Sequence, residues 1–304
     1  MGERREVVTG HLDHDEVREA TRVVDDATIA DRVAPVGEHV MLGLRYDDGA
    51  PRRHVLVYED DDLVGYGQLD VSEPDDDAVA EQVNDPARRG RGHGRALVRA
   101  LLAAAPSGHL RVWSHGQHAH AERLAVTLGF ERVRTLLQMR RSLYAPVPSP
   151  TFPPDVTVRT FRVDADEKPW LAVNAAAFRW HPEQGGMTMD DLRQREAEPW
   201  FDPAGFFLAE RGGEIVGFHW TKVHPHGGGG EGREAIGEVY AVGVNPQAQG
   251  GGLGRALTVA GLQYLRGQGL SQVLLYVEET NAAAVRLYES LGFTRWDADV
   301  MYRH

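Results

Sequence analysis

Hydrophobic and polar positions along the chain follow two rhythms, helical and alternating, and the order in which they appear repeats. In residues 16–33 the apolar positions Ala20, Val23, Val24, Ile29 and Val33 recur at helical spacing and predict one or two amphipathic helices. Ala34-Pro35-Val36-Gly37-Glu38 breaks that pattern, residues 41–44 resume apolar character, and Glu38 by spacing alone reads as a solvated loop carboxylate. Residues 54–58 and 63–71 alternate like the strands of a hairpin around the acidic turn Glu59-Asp60-Asp61-Asp62. That turn lacks the spaced ligands and the glycine of a calcium loop, so it reads as a charged turn. After a loop at Asp75-Asp76-Asp77, residues 88–94 form a glycine turn into a helix over 95–105. A strand (110–113), a helix (119–128) and a strand opening at Gly129-Phe130-Glu131 complete the unit.

The second half runs through the same order. It predicts a strand over 156–161, a helix over 170–178, and a hairpin of 206–211 with 215–223 around Gly212-Gly213-Glu214. A glycine loop at 227–230 precedes an apolar strand over 239–244 and the turn Asn245-Pro246-Gln247. A helix over 253–265, a strand over 273–277, a helix over 281–290 and a terminal strand after Gly292-Phe293 follow. Gly252 stands 160 residues after Gly92 and Gly292 stands 163 after Gly129, so the matched motifs recur at nearly one offset. The chain therefore reads as two tandem copies of one α/β unit, helices against a mixed sheet. The N-terminal domain spans residues 1–144, a proline-rich linker 145–155, and the C-terminal domain 156–304.

Composition narrows the chemistry. Against 45 Asp and Glu the 304 residues carry only 33 Lys and Arg, a formal charge of −12, which argues against a nucleic-acid or anionic-membrane surface and for a small-molecule partner. No apolar run is long enough to span a bilayer and the first residues are charged throughout, so a cytoplasmic protein is expected, and a monomer. Zero cysteines exclude disulfides, thiolate zinc sites and cysteine nucleophiles. His181, His219 and His224 come from separate elements with no further ligand set, so no metal is expected.

The chemistry-bearing stretch is Gln249-Gly250-Gly251-Gly252-Leu253-Gly254, a glycine turn between a strand and a helix. A helix that begins in glycines presents unpaired N–H groups at its positive dipole end, open to a phosphate. A dinucleotide fold fits worse, because the turn lies late in each unit and no acidic ribose ligand stands at the expected distance.

In their setting, Arg89-x-x-Gly92-x-Gly94 and Gln249-x-x-Gly252-x-Gly254, each followed by a helix ending Leu-Gly-Phe, resemble the acetyl-CoA motif of the GCN5-related N-acetyltransferases. The resemblance implies two tandem domains of that fold and acetyl-CoA as cosubstrate. Gln249, Gly250, Gly251, Gly252, Leu253, Gly254 and Arg255 would hold the pyrophosphate, and Val242, Gly243 and Val244 would pair with the pantetheine arm. Asn281 would cap its helix and, with Ala282, Ala283, Ala284, Val285 and Arg286, contact the cofactor. Glu238 would be the base and Tyr288 the acid that protonates the departing sulfur. The N-terminal copy has a matching cradle in Gln82, Val83, Asn84, Gly90, Arg91, Gly92, His93, Gly94 and Arg95. An ungapped count puts Ala78, Ala125 and His118 where the other copy has Glu238, Tyr288 and Asn281, so this copy is expected to bind CoA without catalysing.

Longer strings, including Ala34-Pro35-Val36-Gly37-Glu38, His181-Pro182-Glu183-Gln184-Gly185-Gly186 and the run from Gly217 to Pro225, resemble a tandem-domain branch of that family. It acetylates the cysteinyl amine of cysteinyl-glucosaminyl-inositol. That likeness implies substrate contacts at Glu38, Lys222, Glu238 and Tyr276, to which we add Glu183; carboxylates and a lysine suit a thiol-sugar with a free amine. Another amine, such as an aminoglycoside or a protein N-terminus, and a non-catalytic acyl-CoA sensor are the alternatives.

Overall fold

A computed structural model describes residues 3–46, 50–72, 76–225 and 234–304, without the side chains of Pro182 and Glu183; the glycine loop at 227–230 lies outside the described residues. The chain runs β1 (Arg4–Thr9), α1 (His14–Asp31), α2 (Glu38–Arg45), β2 (Arg52–Glu59), β3 (Asp62–Asp70), β4 (Ala78–Asn84), α3 (His93–Ala104), β5 (Leu110–Ser114), α4 (Ala119–Thr127) and β6 (Glu131–Ser142). It continues through β7 (Val156–Thr160), α5 (Glu167–Ala177), α6 (Pro182–Gly185), α7 (Met189–Glu196), β8 (Phe206–Arg211), β9 (Glu214–His224), β10 (Ile236–Val244), α8 (Leu253–Gly267), β11 (Gln272–Glu278), α9 (Ala282–Ser290) and β12 (Thr294–Arg303). The mixed α/β class and the repeated unit match the sequence reading.

Several elements escaped that reading, three of them for local reasons. β1 is a short, charged strand at the sheet's end, β4 separates its two valines with an alanine, a carboxylate and an amide, and α7 is polar apart from Met189 and Leu192, with only Leu192 buried. Glu38 is not in a loop: it opens α2, capped by Gly37. Within the charged turn, Glu59 is buried and accepts from Arg88 and Arg91, each at 3.2 Å, tying the hairpin to the first glycine turn.

Among the described residues, twelve strands form one sheet in the order β1-β2-β3-β4-β5-β12-β6-β11-β10-β9-β8-β7. The last strand of each repeat crosses over. β6, which ends the first copy, pairs with β11 of the second from Gln272↔Ser142 to Glu278↔Leu136, while β12 pairs with β5 of the first from Val300↔Ser114 to Arg303↔Arg111. The two crossing strands also pair with each other, from Thr294↔Arg140 to Arg303↔Glu131. Packing follows the crossing: Phe130 sits in the first copy's core, whereas Leu137, Met139 and Leu143 are buried in the second's. At ~1.5–3 kcal/mol for each buried aliphatic side chain, those three residues contribute directly to holding the copies together. Residues 145–155 between them carry neither helix nor strand.

Side-chain charge reinforces the crossing. His115, just after β5, lies between Asp299 of β12, 2.9 Å from its Nδ1, and Glu81 of β4, 3.0 Å from its Nε2. Glu81 also faces His39 at 3.3 Å and accepts from the Gly37 N–H. Burial would raise the Glu81 carboxyl, but His39 and His115 hold it down to about 2. Burial likewise opposes a charge on His115, yet Glu81 and Asp299 push it up to about 10.

A pH dependence of stability follows from these directions. The contribution of Glu81 is complete above its ordinary 4.5 and is lost as pH falls toward 2; that of His115 is complete below its ordinary 6.5 and is lost as pH rises through 10. Urea unfolding should therefore show stability declining on both sides of a plateau near pH 4.5–6.5. His115→Gln should flatten the alkaline decline, and an unchanged slope above pH 7 in that variant would show that the cluster does not carry it.

Candidate active site

Each copy contains a pair of parallel strands that begin together and then part. β4 pairs with β5 only at Ala78, Val79 and Ala80, and β10 with β11 only at Gly237, Glu238 and Val239. Beyond those residues the backbone edges facing the gap have no strand partner, which leaves room for an extended ligand to add to the sheet. Val242, Gly243 and Val244 lie on the β10 side of one gap; Gln82, Val83 and Asn84 lie on the β4 side of the other. Gly243 is required there because a Cβ would stand 2.5 Å from the Phe218 ring.

The glycine turns close the wide ends of the gaps. Gly250, Gly251 and Gly252 all have positive φ, as do Gly90 and Gly92, and a Cβ on Gly252 would meet nothing within 4 Å, so the approach is open. Gly252 and Gly92 are the N-caps of α8 and α3, with no side chain capping either helix. As at any helix start, the first N–H groups, including those of Gly254 and Arg255, lack an intrahelical acceptor and suit a phosphate. The Arg255 side chain reaches across to Ser290 Oγ at 2.6 Å. Asn281 caps α9 by accepting from Ala284 N–H at 3.2 Å, whereas His118, its counterpart before α4, makes no such bond. Ala282, Ala283 and Arg286 are exposed on α9, Ala284 is partly covered, and Val285 turns into the core.

A cavity of about 350 Å³ opens in the first copy, away from Glu238 and Tyr288. Gln82, Val83, Asn84, Gly90, Gly92, His93, Gly94 and Arg95 all line it, together with the apolar Val98, Val112, Leu124 and Phe130. Arg91 does not, because it turns to Glu59. Gln82 Oε1 and Asn84 Oδ1 are buried without a protein partner, so they are acceptors that a ligand could satisfy. Ala125 lines this cavity at the position in α4 that Tyr288 holds in α9, where the phenol ring packs edge-on to Phe293, 5.8 Å between centroids.

Chemistry-bearing groups gather in the second copy. Glu238 is buried on β10, directly across from Lys222 on β9, and its Oε2 lies 2.6 Å from His224 Nε2. Lys222 donates to Glu38, which α2 of the first copy delivers across 184 residues of sequence. Tyr240 donates to the other Glu38 oxygen at 2.6 Å and accepts from Arg195 Nε at 2.9 Å. The Lys222 ammonium also sits over the rings of Trp200, at 4.3 Å, and Tyr240, at 5.1 Å. Burial would raise the Glu38 carboxyl, but Lys222, Tyr240 and Arg195 hold it below its ordinary value. Tyr276 is oriented by Gln138 of the crossing strand β6, whose amide donates to its hydroxyl at 2.7 Å. Burial pushes the Tyr288 phenol up to about 12, which keeps it protonated at neutral pH.

One detail departs from the sequence reading. A bulge between Val239 and Ala241 adds a residue to β10, so the strand register places Val79, not Ala78, at the position that matches Glu238; either residue leaves that place without a carboxylate. Of the three histidines, His219 is a core residue bonded to the Leu257 carbonyl at 2.7 Å and His181 contacts Arg134, so they do not converge. Tyr240, Arg195, Trp200 and Gln138 were missed. Only Tyr240 left a signal, two residues beyond Glu238 on one strand, but the bulge falls at Tyr240 itself and breaks the alternation. Glu183 lies in α6, and its side chain is outside the description.

Residues 24–130 and 170–293 both match the acetyltransferase (GNAT) family. The chain belongs to that family. It is an acetyltransferase enzyme, of the family that the two glycine turns pointed to in the sequence. Among similar proteins, the mycothiol acetyltransferase of Streptosporangium roseum is 51% identical over 97% of this chain and 97% of its own. That of Thermomonospora curvata is 52% identical over 100% of this chain and 98% of its own. Among solved structures, a tandem GNAT protein from the clavulanic acid biosynthesis pathway superposes with a TM-score of 0.74 at 19% identity, covering 99% of this chain and 98% of its own. A GCN5-related N-acetyltransferase from Sphaerobacter thermophilus superposes with 0.68 at 22% identity over 98% and 95%. At those identities the two structures show the tandem GNAT fold. The family uses acetyl-CoA, and the open helix starts and parted strands of this GNAT acetyltransferase fit it.

A valine at Gly254 tests the cradle. Gly254 has ordinary helical backbone, and a Cβ there would meet only Val244, at 3.7 Å, so Gly254→Val should fold with nearly unchanged thermal stability. Its branched side chain beside the free N–H groups should weaken acetyl-CoA binding to the second copy by about tenfold or more, roughly 1.4 kcal/mol, in calorimetric titration. Unaltered affinity at every site would place the pyrophosphate elsewhere.

Proposed function

We propose that this acetyltransferase moves the acetyl group of acetyl-CoA to the cysteinyl amine of cysteinyl-glucosaminyl-inositol, in mycothiol synthesis. The observation that carries the reading is the charged recess in which Glu238 faces Lys222 while Glu38 arrives from the other copy. An amine that must lose a proton and a sugar rich in hydroxyls need such groups. The relatives named mycothiol acetyltransferase, matched at about half identity over nearly full length, support the same substrate.

On this reading acetyl-CoA lies in the second gap, its pyrophosphate at Gln249 to Arg255, its pantetheine along Val242 to Val244, and Asn281 to Arg286 beside it. The substrate sits toward Glu38, Lys222, Tyr276 and Glu183. Glu238 takes a proton from the ammonium, directly or through water, and the amine lone pair attacks the thioester carbonyl. A backbone N–H at the open edge near Val242 steadies the oxyanion. As the C–S bond breaks, Tyr288 protonates the sulfur, and the remaining amine proton restores the phenol. The first copy, with its cavity but with Val79 and Ala125 in place of the base and acid, binds CoA without turnover. A net charge of −12 suits a small-molecule partner, and on this reading the protein works as a cytoplasmic monomer without a metal.

Purified protein mixed with acetyl-CoA and cysteinyl-glucosaminyl-inositol should release free CoA. No release with that amine but release with an aminoglycoside or a peptide N-terminus would replace the substrate, and no release with any amine would favour a CoA sensor. Glu238→Ala should lower kcat by about 10²–10⁴-fold with acetyl-CoA affinity nearly intact; an equal loss of affinity would move Glu238 into the cofactor site.

Tyr288→Phe should lower kcat by about 10²-fold. Because the phenol is pushed up to about 12, the proton it donates is present below that pH and lost only as pH rises through it. No fall in wild-type kcat between pH 7 and 10 should therefore trace to Tyr288, and a fall in that range abolished by the Phe variant would contradict its role.

A further inference from the structure

Acetylation of an ammonium releases one net proton, and the residue proposed to receive it is almost shut off from water. The Glu238 side chain is 10% exposed, and the groups around it differ in what they can accept. Among the described residues, Lys222 and His224 face it from β9 and Tyr276 from β11. Lys222 is engaged with Glu38 and covered by Trp200 and Tyr240, and the Tyr276 hydroxyl is taken by Gln138. His224 differs on both counts: its Nε2 is 2.6 Å from Glu238 Oε2, and its side chain is 28% exposed at the end of β9. One end of the ring touches the buried carboxylate while part of the side chain meets solvent.

We propose that His224 is the proton exit of the acetyltransferase site, a positioning and relay residue acting through Glu238. The proposal rests on the reading of Glu238 as base. In the relay His224 is the Nδ1–H tautomer with its bare Nε2 toward Glu238 Oε2: the ammonium proton passes to the Glu238 carboxylate, and the acid O–H so formed donates to Nε2 and gives the proton up to the ring. The imidazolium then releases its Nδ1 proton to water; once the products leave, water entering the site takes the Nε2 proton while Nδ1 regains one from solvent, which restores the starting tautomer. Only O–H and N–H bonds form and break, and the carboxylate is restored for the next amine. Imidazole is the side chain suited to this duty, since it takes up and releases protons near neutral pH. Placing the relay on the strand next to Glu238 also fixes which carboxylate oxygen stays bound to His224 and leaves the other for the substrate.

His224→Gln, which keeps a hydrogen-bonding amide beside Glu238 but cannot carry a proton, and His224→Ala test the relay in the full-length enzyme with acetyl-CoA and the cysteinyl amine. Both variants should lose about 10²-fold in kcat at pH 7 while acetyl-CoA affinity stays at the wild-type value. The loss should shrink as buffer concentration rises, and added imidazole should restore most of the turnover of His224→Ala. Wild-type kcat in His224→Gln, or a loss in both variants that neither buffer nor imidazole alters, would overturn the relay. If His224→Ala does not fold, the Gln variant and its buffer dependence decide the matter. Glu238→Ala measured alongside separates the two readings: wild-type turnover there defeats the base assignment, whereas a large loss there with an unimpaired His224→Gln defeats the exit alone.

Discussion

The antiparallel pairing of β6 with β12 is the constraint on which the rest of the structure depends. Each strand completes the sheet of the copy to which it does not belong by sequence, and each pairs with the other between the copies. A sheet with unfinished edges would expose unpaired N–H and C=O groups at its centre, so both copies must be folded for either to be closed. The buried Glu81–His115–Asp299 cluster adds a charge requirement to the same joint, because His115 on one copy would be left a buried cation without Asp299 from the other.

That joint also builds the candidate site. Gln138 orients Tyr276, and Arg134 holds Glu278 at 2.7 Å, both from the crossing strand β6. Glu38, near the other end of the first copy, meets Lys222 and Tyr240 of the second. The first copy is thus a structural partner of the acetyltransferase site as well as the owner of a separate cavity. The copies differ there in kind: Ala125 lines the cavity at the place in α4 that Tyr288 holds in α9, and Val79 stands where the second copy has the Glu238 carboxylate.

Much of this was legible along the chain. The glycine turns, the helices they start and the matching offsets are local, since a positive φ or a run of apolar residues leaves its mark within a few positions. Glu238 and Tyr288 stood out because only one copy has them. Tyr240, Arg195 and Trp200 did not, since an aromatic or arginine in a strand or a polar helix looks the same whether it lines a recess or faces solvent. The place of Glu38 was misjudged from spacing for a related reason: its partner Lys222 is 184 residues away, and nothing near Glu38 in the chain reports that partner.

By itself the sequence determined the duplication, the family, the position of the two glycine-led helix starts and the presence of Glu238 and Tyr288 in one copy only. These follow from backbone preference and residue identity, which act over a turn or a strand. Only the tertiary structure decided that the final strands change places, that a bulge resets the β10 register, and that Glu38, Lys222 and Tyr240 form one cluster. Antiparallel neighbours are chosen by hydrogen bonding and burial across the whole chain, and the alternation that predicts a strand says nothing of which strand it will lie beside.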